Sequence, residues 1–148
     1  KEGNKMAVGS SAVCTSFKQE VLVATHNFTA SSGDTFKIAL YTNSASIDAS
    51  TTAYTTSNEY SGTGYTAAGN TLTSVTPTTS GTTAFCDFDD TSWTTATITA
   101  RGALIYNSSK SNKAVAVINF GGDKTSTLGT FTIQFPTANA SDAIIRLA

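Results

Sequence analysis

The stretch DTFKIALYT at residues 34–42 alternates large apolar side chains with other residues. Phe36, Ile38 and Leu40 would project from one side of an extended chain, while Lys37 would project from the other. This period of two predicts a β-strand that buries one face in a core. The same pattern returns in later segments, so this strand decides the fold class.

Similar short runs occur in five further segments, and the chain closes with the apolar run DAIIRLA at 142–148. They are separated by turn-rich sequence such as NSSKSN at 107–112 and GGDKTSTLG at 121–129, and Pro77 is expected to end the strand that begins at Thr71. Seven or eight short strands without intervening helices predict a mainly β protein, an antiparallel β-sandwich or jelly roll. The further strands are predicted at 71–77, 82–88, 96–107, 113–120 and 130–136.

One segment near the start has the period of a helix instead. Val13, Phe17 and Val21 recur every four residues, and Ser10 or Ser11 can cap the helix that they indicate. We predict one N-terminal α-helix at about residues 11–25. The polar side chains predicted to face solvent are Lys18, Gln19 and Glu20.

The domain organisation is simple. We predict a flexible tail at residues 1–10 and a single β-sandwich domain at 11–148. Within that domain, residues 42–70 form a long irregular connection with at most one short helical turn. The opening KEGNKM, back-translated, reads as a ribosome-binding segment followed by a start codon. The natural chain is therefore expected to begin at Met6, without residues 1–5, and the alternative is that these residues are an ordinary polar tail.

The composition argues against several classes of partner. Charged residues make up 13% of the chain and the net charge is -1, so no basic field exists to attract nucleic acid. No apolar run is long enough to cross a membrane, which takes about 20 residues. Serine and threonine supply about a third of the chain and give a neutral, hydroxyl-rich surface suited to lasting contact with other proteins.

Few residues carry chemistry. Cys14 and Cys86 are predicted to be buried free thiols, with a disulfide as the alternative, and no cysteine–histidine cluster suggests zinc. His26 is the only histidine, and its place near the predicted helix end favours a role beside the helix dipole over that of a general base. We therefore predict no catalytic residue, no cofactor and no metal. A calcium site in CDFDD is the weaker alternative to a turn formed by Asp89 and Asp90, with Asp87 facing solvent.

The glycine-rich stretch EYSGTGYTAAGNTL at residues 59–72 contains a match to G-x-G-x-x-A. A phosphate site of that type needs a strand before it and a helix after it, and the sequence predicts neither. The structural interpretation is a turn, in which Gly62 and Gly64 take positive φ and Gly69 precedes a strand. Tyr65 would lie on the flank of the sandwich with its hydroxyl at the rim.

Four aromatic residues offer a second kind of site. Tyr54, Tyr60, Tyr65 and Trp93 would stack on sugar rings if they met on one exposed rim. For Trp93, an anchor in the core of the sandwich is the favoured alternative.

Several whole segments together resemble a family of small virion structural proteins of tailed bacteriophages. The resemblance covers about residues 16–148, and the family pattern has valine at the position of Tyr60 and two glycines at 68–69. The segments that carry it are FKQEVL at 17–22, DTFKIALYT at 34–42, NEYSGTGYTAAGNTL at 58–72, TSWTTATITARGALIYN at 91–107, NFGGDKTST at 119–127 and FTIQFP at 131–136.

The resemblance implies a non-enzymatic component of the phage particle, either head decoration or a tail-associated or fibre protein. Its expected partners are major capsid or tail proteins and further copies of itself, and its expected location is the virion, assembled in the host cytoplasm. A receptor- or glycan-binding module of a tail fibre is the alternative, and a hydrolase using His26 is a remote third. Arg101 is expected in an ion pair or a subunit contact. The candidate contact residues are Arg101, Tyr60, Tyr65 and Trp93.

Overall fold

The computed structural model describes residues 8–148. These residues form eight strands and one short helix, arranged as two antiparallel sheets, so the predicted mainly β sandwich with an N-terminal helix is confirmed. The elements are β1 Ala12–Val13, α1 Thr15–Leu22, β2 Phe36–Tyr41, β3 Asn70–Thr71, β4 Ser74–Ser80, β5 Thr83–Phe88, β6 Thr91–Asn107, β7 Lys113–Ile133 and β8 Ile145–Leu147.

The two sheets differ in size. The larger sheet has five strands in the order β1-β7-β6-β2-β3, and the smaller has three in the order β4-β5-β8. The core lies between them: Phe36 of the larger sheet and Phe88 of the smaller have ring centroids 5.7 Å apart, and Phe28 stacks on Phe36 at 4.2 Å. Strand β2 lies between β6 and β3 in the larger sheet, and it is buried on both of its faces apart from Lys37, which is half-buried.

Strands β6 and β7 form one long hairpin. The predicted turn at 107–112 joins them, whereas the turn predicted at 121–129 is wrong, because β7 continues through that segment. The middle of the segment is extended and paired with β6, as in the pairs Ile98 with Ser126 and Ala100 with Lys124. Gly121 and Leu128 take positive φ at the register shifts on either side. The pairing shifts register at four places along the hairpin, where one strand has more residues than the other between successive pairs.

The sequence predicted that Pro77 ends its strand, and this prediction is wrong. It lies inside β4, where the pairing with β5 shifts register between Val75 and Thr78. Proline has no N–H to donate, so it is tolerated at such a bulge and on an edge strand. Strand β4 is an edge strand of the smaller sheet.

The helix is shorter than predicted at both ends. It begins four residues later than the predicted start, because Ala12 and Val13 are extended and pair with Val117 and Ala116 of β7. Neither serine caps it. The N-cap is Cys14, which makes no side-chain cap bond. The helix ends three residues earlier than predicted, at Leu22, and the left-handed Ala24 (φ 57°) turns the chain away.

The predicted solvent face of the helix is also partly wrong. Glu20 is buried beside Phe17, because its carboxylate finds donors inside the protein. Leu22 and Val23 are instead exposed at the end of the helix. The helix therefore packs one face on the sandwich and leaves apolar side chains outside it.

The flexible tail predicted at residues 1–10 is wrong at Val8 and Gly9, which are held against the rest of the protein. Val8 is buried in the core cluster, and the N–H of Gly9 donates to the carbonyl of Ile47 at 2.8 Å. The expectation that the natural chain starts at Met6, and the rest of the predicted tail, lie outside the described residues.

Residues 42–70 form the predicted long connection. The segment contains hydrogen-bonded turns and no helix. It is held to β2 by the N–H of Tyr60, which donates to the carbonyl of Leu40 at 2.8 Å. Among the described residues, no helix has the length and apolar character needed to cross a membrane.

Candidate functional site

The glycine-rich loop is held in place by one carboxylate. Glu59 accepts hydrogen bonds at Oε1 from the Tyr65 hydroxyl and the Ala68 N–H, both at 2.7 Å, and at Oε2 from the Tyr54 hydroxyl at 2.6 Å. We call these four residues the Glu59 clasp. Burial and the hydrogen bond to Glu59 raise the pKa of both tyrosines far above the ordinary value, so the hydroxyls remain donors. The clasp closes the loop on itself.

The loop also packs tightly on the larger sheet. Gly64 has positive φ (81°), as predicted, but Gly62 does not, and the Tyr60 ring fills the space beside it. Gly69, which was predicted to precede a strand, also has positive φ (71°). A Cβ on Gly69 would lie 1.8 Å from the carbonyl oxygen of Ile38. Strand β3 follows directly, with no helix to meet a phosphate. The loop therefore turns the chain and covers β2.

Tyr65 is not oriented as predicted. Its hydroxyl was expected at the rim, yet it points inward, where it accepts the N–H of Leu40 at 3.0 Å and donates to Glu59. The side chain is buried because its hydroxyl reaches inward to these two partners, one within the loop and one on β2.

Three of the four aromatic residues meet, but not on an exposed rim. Tyr65 lies 5.7 Å from Tyr60 and 5.8 Å from Trp93 between ring centroids, and Trp93 is only 5% exposed. Tyr54 stacks on the buried Tyr106 at 4.7 Å, and the Tyr60 hydroxyl donates to a backbone carbonyl. Trp93 is thus the predicted core anchor. None of the four rings forms a free platform for a sugar.

Arg101 lies on β6 and forms an ion pair. Its Nε is 2.9 Å from Oδ1 of Asp123 on β7, and both side chains are about one-third exposed. The ion pair is one of the two predicted alternatives. A subunit contact at Arg101 stays a prediction.

A buried polar cluster surrounds the single histidine. His26 Nε2 is 2.6 Å from Glu20 Oε2, and Lys113 Nζ donates to Glu20 Oε1 at 2.9 Å. On the other side of the ring, Asn107 Nδ2 is 2.9 Å from His26 Nδ1 and 2.8 Å from Asp34 Oδ2. We call these five residues the His26 cluster.

The hydrogen bonds determine the tautomer of His26. Asn107 Oδ1 accepts the N–H of Ser109, so the amide nitrogen faces His26 and donates to Nδ1. The ring proton is then on Nε2 and is donated to Glu20. Both ring nitrogens are engaged and the side chain is fully buried, so neither nitrogen is free to activate a nucleophile.

The predicted dipole role of His26 is therefore wrong. The helix ends four residues before it, and its partner is the Glu20 carboxylate rather than the last carbonyls of the helix. No local signal in the sequence indicated this cluster, because Asn107 lies 81 positions and Lys113 93 positions from the residues that they contact.

The carboxylates of this cluster predict the pH dependence of stability. Burial alone would raise the pKa of Glu20, but the hydrogen bonds from Lys113 and His26 outweigh it and leave the pKa below the ordinary 4.5. Burial likewise acts against Asp34, whose pKa is lowered from 3.8 mainly by Asn107. Groups with lowered pKa stabilise the folded state above their unfolded pKa and lose that contribution as the pH falls.

We expect the free energy of unfolding to fall as the pH drops below about 4.5. Glu20→Gln should cost about 2 kcal/mol at neutral pH, because it removes the charge that two donors face. The variant should also lose less stability on acidification than the wild type does. Urea denaturation across the acid range measures both effects, and equal pH profiles for the two proteins would contradict the assignment.

The acidic stretch CDFDD does not assemble as predicted. Asp87 is buried rather than facing solvent, because its carboxylate accepts the N–H groups of Phe88 at 2.8 Å and Ile144 at 3.3 Å. Burial raises its pKa. Asp90 instead accepts the N–H of Phe135 at 2.8 Å. In residues 8–148, no three histidine, cysteine or acidic side chains are grouped as a metal would require.

Cys14 and Cys86 are buried free thiols, as predicted. Burial raises the pKa of Cys14 to about 11 and that of Cys86 to about 12. Both sulfurs therefore stay protonated and pack as apolar groups.

Comparison of the chain with family models, with curated proteins and with solved structures gives no match.

Proposed function

We propose that the protein is a non-enzymatic structural subunit of a tailed-phage particle, placed as capsid decoration or on the tail. It acts by contact with capsid or tail proteins and with further copies of itself. The resemblance of its segments to phage virion proteins motivates the proposal. The observation that carries it is the long free edge of β7.

Strand β7 has an unpaired outer side. Strand β1 pairs with it only at Ala116 and Val117, and among the described residues no strand lies beside it from Phe120 to Ile133. Two stretches of this edge, residues 124–127 and 129–133, present backbone donors and acceptors to another chain. Leu128 (φ 47°) separates them, and Gly121 (φ 76°) lies at the bulge that precedes them. Asp123 and Lys124 are its only charged residues, so little on the edge repels a neighbouring strand.

The surface of this edge suits contact with a neighbour. Threonine and serine dominate the segment, and their branched or small side chains fit a paired strand. In a symmetric oligomer the same edge of two copies would pair and extend the sheet. Such pairing would account for the expected homo-oligomer.

The edge contact is tested by adding charge. Thr125→Lys together with Thr127→Lys should weaken self-association about tenfold or more, because like charges then meet across the paired edge. Both residues are exposed, so the fold should be retained. Sedimentation over a concentration series measures the change, and Thr79→Lys on the edge strand β4 is the matched control.

The role in the particle is tested separately. Mass spectrometry of purified phage particles should detect the protein, in hundreds of copies for capsid or a long tail and in far fewer for a fibre or tip. Recovery of the protein only as a soluble monomer, absent from the particles, would refute the proposal.

A further inference from the structure

An apolar trough separates the helix from the smaller sheet. It consists of a cavity of about 120 Å³ lined by α1 and strands β5 and β8 and an adjoining opening of about 260 Å³ lined by α1 and β8. The two share lining residues, so they form one trough. The shared residues are Phe17, Val21, Ile145 and Leu147.

Exposed apolar side chains gather at this trough. Of the four large hydrophobic residues exposed in the described chain, Leu22 and Leu147 line the opening, and Val23 follows Leu22 at the end of the helix. Only Leu128, on β7, lies elsewhere. Isolated exposed hydrophobic residues are ordinary, but a group of them around an apolar cavity marks a binding surface.

The rim of the trough is basic. Lys18 and Arg146 are the charged residues that line it, and neither pairs with a carboxylate of residues 8–148. The nearby Glu20 adds no negative charge to the rim, because its carboxylate binds His26 and Lys113 inside the protein. The charge of the rim therefore favours an acidic occupant.

The backbone beside the trough is also free to bind. Strand β8 is an edge strand, since β5 is its one neighbour in the three-stranded sheet. An extended segment laid along this edge would form main-chain hydrogen bonds and alternate its side chains between the trough and the outside.

We propose that the trough binds an extended, acidic segment of a partner protein, with a large apolar side chain inserted between α1 and the smaller sheet. Acidic residues of the segment meet Lys18 and Arg146, and its backbone adds a strand to β8. This inference rests on the contact-making function proposed above and specifies one of its contacts.

The test is a selection of random short peptides on the purified full chain. Peptides recovered on the wild type should be enriched in glutamate and aspartate interspersed with leucine, isoleucine or phenylalanine. Leu22→Ser with Leu147→Ser should weaken their binding more than about tenfold by removing the apolar anchor, and Lys18→Glu with Arg146→Glu about tenfold. Unfolding midpoints near that of the wild type would verify that the variants fold, as expected for exposed positions.

Matched controls lie on β7. Leu128→Ser removes the one large hydrophobic residue of residues 8–148 that is exposed away from the trough, and Lys124→Glu reverses a lysine that pairs with no carboxylate of those residues. Both lie on the edge proposed for self-association, so they serve as controls for peptide binding alone, and there they should match the wild type. No enrichment, peptides without acidic residues, or equal binding by the trough variants would overturn the proposal. Self-association that is lost in the trough variants would also overturn it, because a second copy would then be the occupant. None of these outcomes depends on whether the protein is found in phage particles.

Discussion

Replacing Gly69 by alanine is expected to lower the free energy of unfolding by about 4 kcal/mol. The added Cβ would lie 1.8 Å from the Ile38 carbonyl oxygen and 2.9 Å from the Cα of Ala39, both backbone atoms of β2. Loop and strand must then separate, which costs about 1–3 kcal/mol in a packed region. The positive φ of 71° adds about 1–2 kcal/mol for any residue with a Cβ.

Gly121→Ala is the matched control for this change. Gly121 has a similar φ of 76°, but a Cβ there meets no atom within 4 Å. It should cost only about 1 kcal/mol, so the difference between the two variants isolates the close approach of loop and strand. Urea denaturation measures both, and equal losses would contradict the packing described for the glycine-rich loop.

Replacing His26 by alanine is expected to cost about 4 kcal/mol. The imidazole lies 4.9 Å from the Phe17 ring centroid and beside Phe28 and Phe36, and its loss enlarges the existing apolar cavity next to it. Removing a buried ring costs about 3–5 kcal/mol in other cores. The variant also leaves a buried Asn107 donor and a Glu20 oxygen without a partner.

His26→Phe separates packing from hydrogen bonding. Phenylalanine keeps the ring contacts and removes both hydrogen bonds, so we expect a loss of about 2 kcal/mol. Thermal unfolding with near-ultraviolet circular dichroism measures the two variants. If both were as stable as the wild type, the His26 cluster would have no structural role.

The fold class could be predicted from the sequence because apolar residues at every second position indicate a strand with one buried face. Residues 34–42 and 82–88 gave strands close to those observed, and the turn at 107–112 is encoded by its own residues. Errors arose where pairing overrode local preference. Segment 121–129 has the composition of a turn, yet residues 124–126 pair with β6 and the strand continues through the segment. The helical period that includes Val13 is overridden in the same way, because Val13 pairs with β7.

The candidate sites were harder to predict for a different reason. Glycine content marked the loop at 59–72 as a turn, but the role of Glu59 depends on tyrosines folded back onto it. The His26 cluster joins residues from the helix, the connection after it and the central hairpin. Contacts between such distant positions leave no periodic trace in one sequence. The burial of Asp87 could not be predicted for the same reason, because its carboxylate accepts the N–H of Ile144, which lies 57 positions away.

The long hairpin also has a consequence for the order in which the molecule assembles. Strands β6 and β7 meet across a turn at 107–112, so their ladder can nucleate soon after both segments exist. The smaller sheet instead needs Ala84 to find Leu147, 63 positions along the chain. Closing so large a loop is slow, and until it happens β5 has a bare side that is prone to mispairing. Amides of the β6–β7 hairpin should therefore be protected from hydrogen exchange before the amides that join β5 to β8.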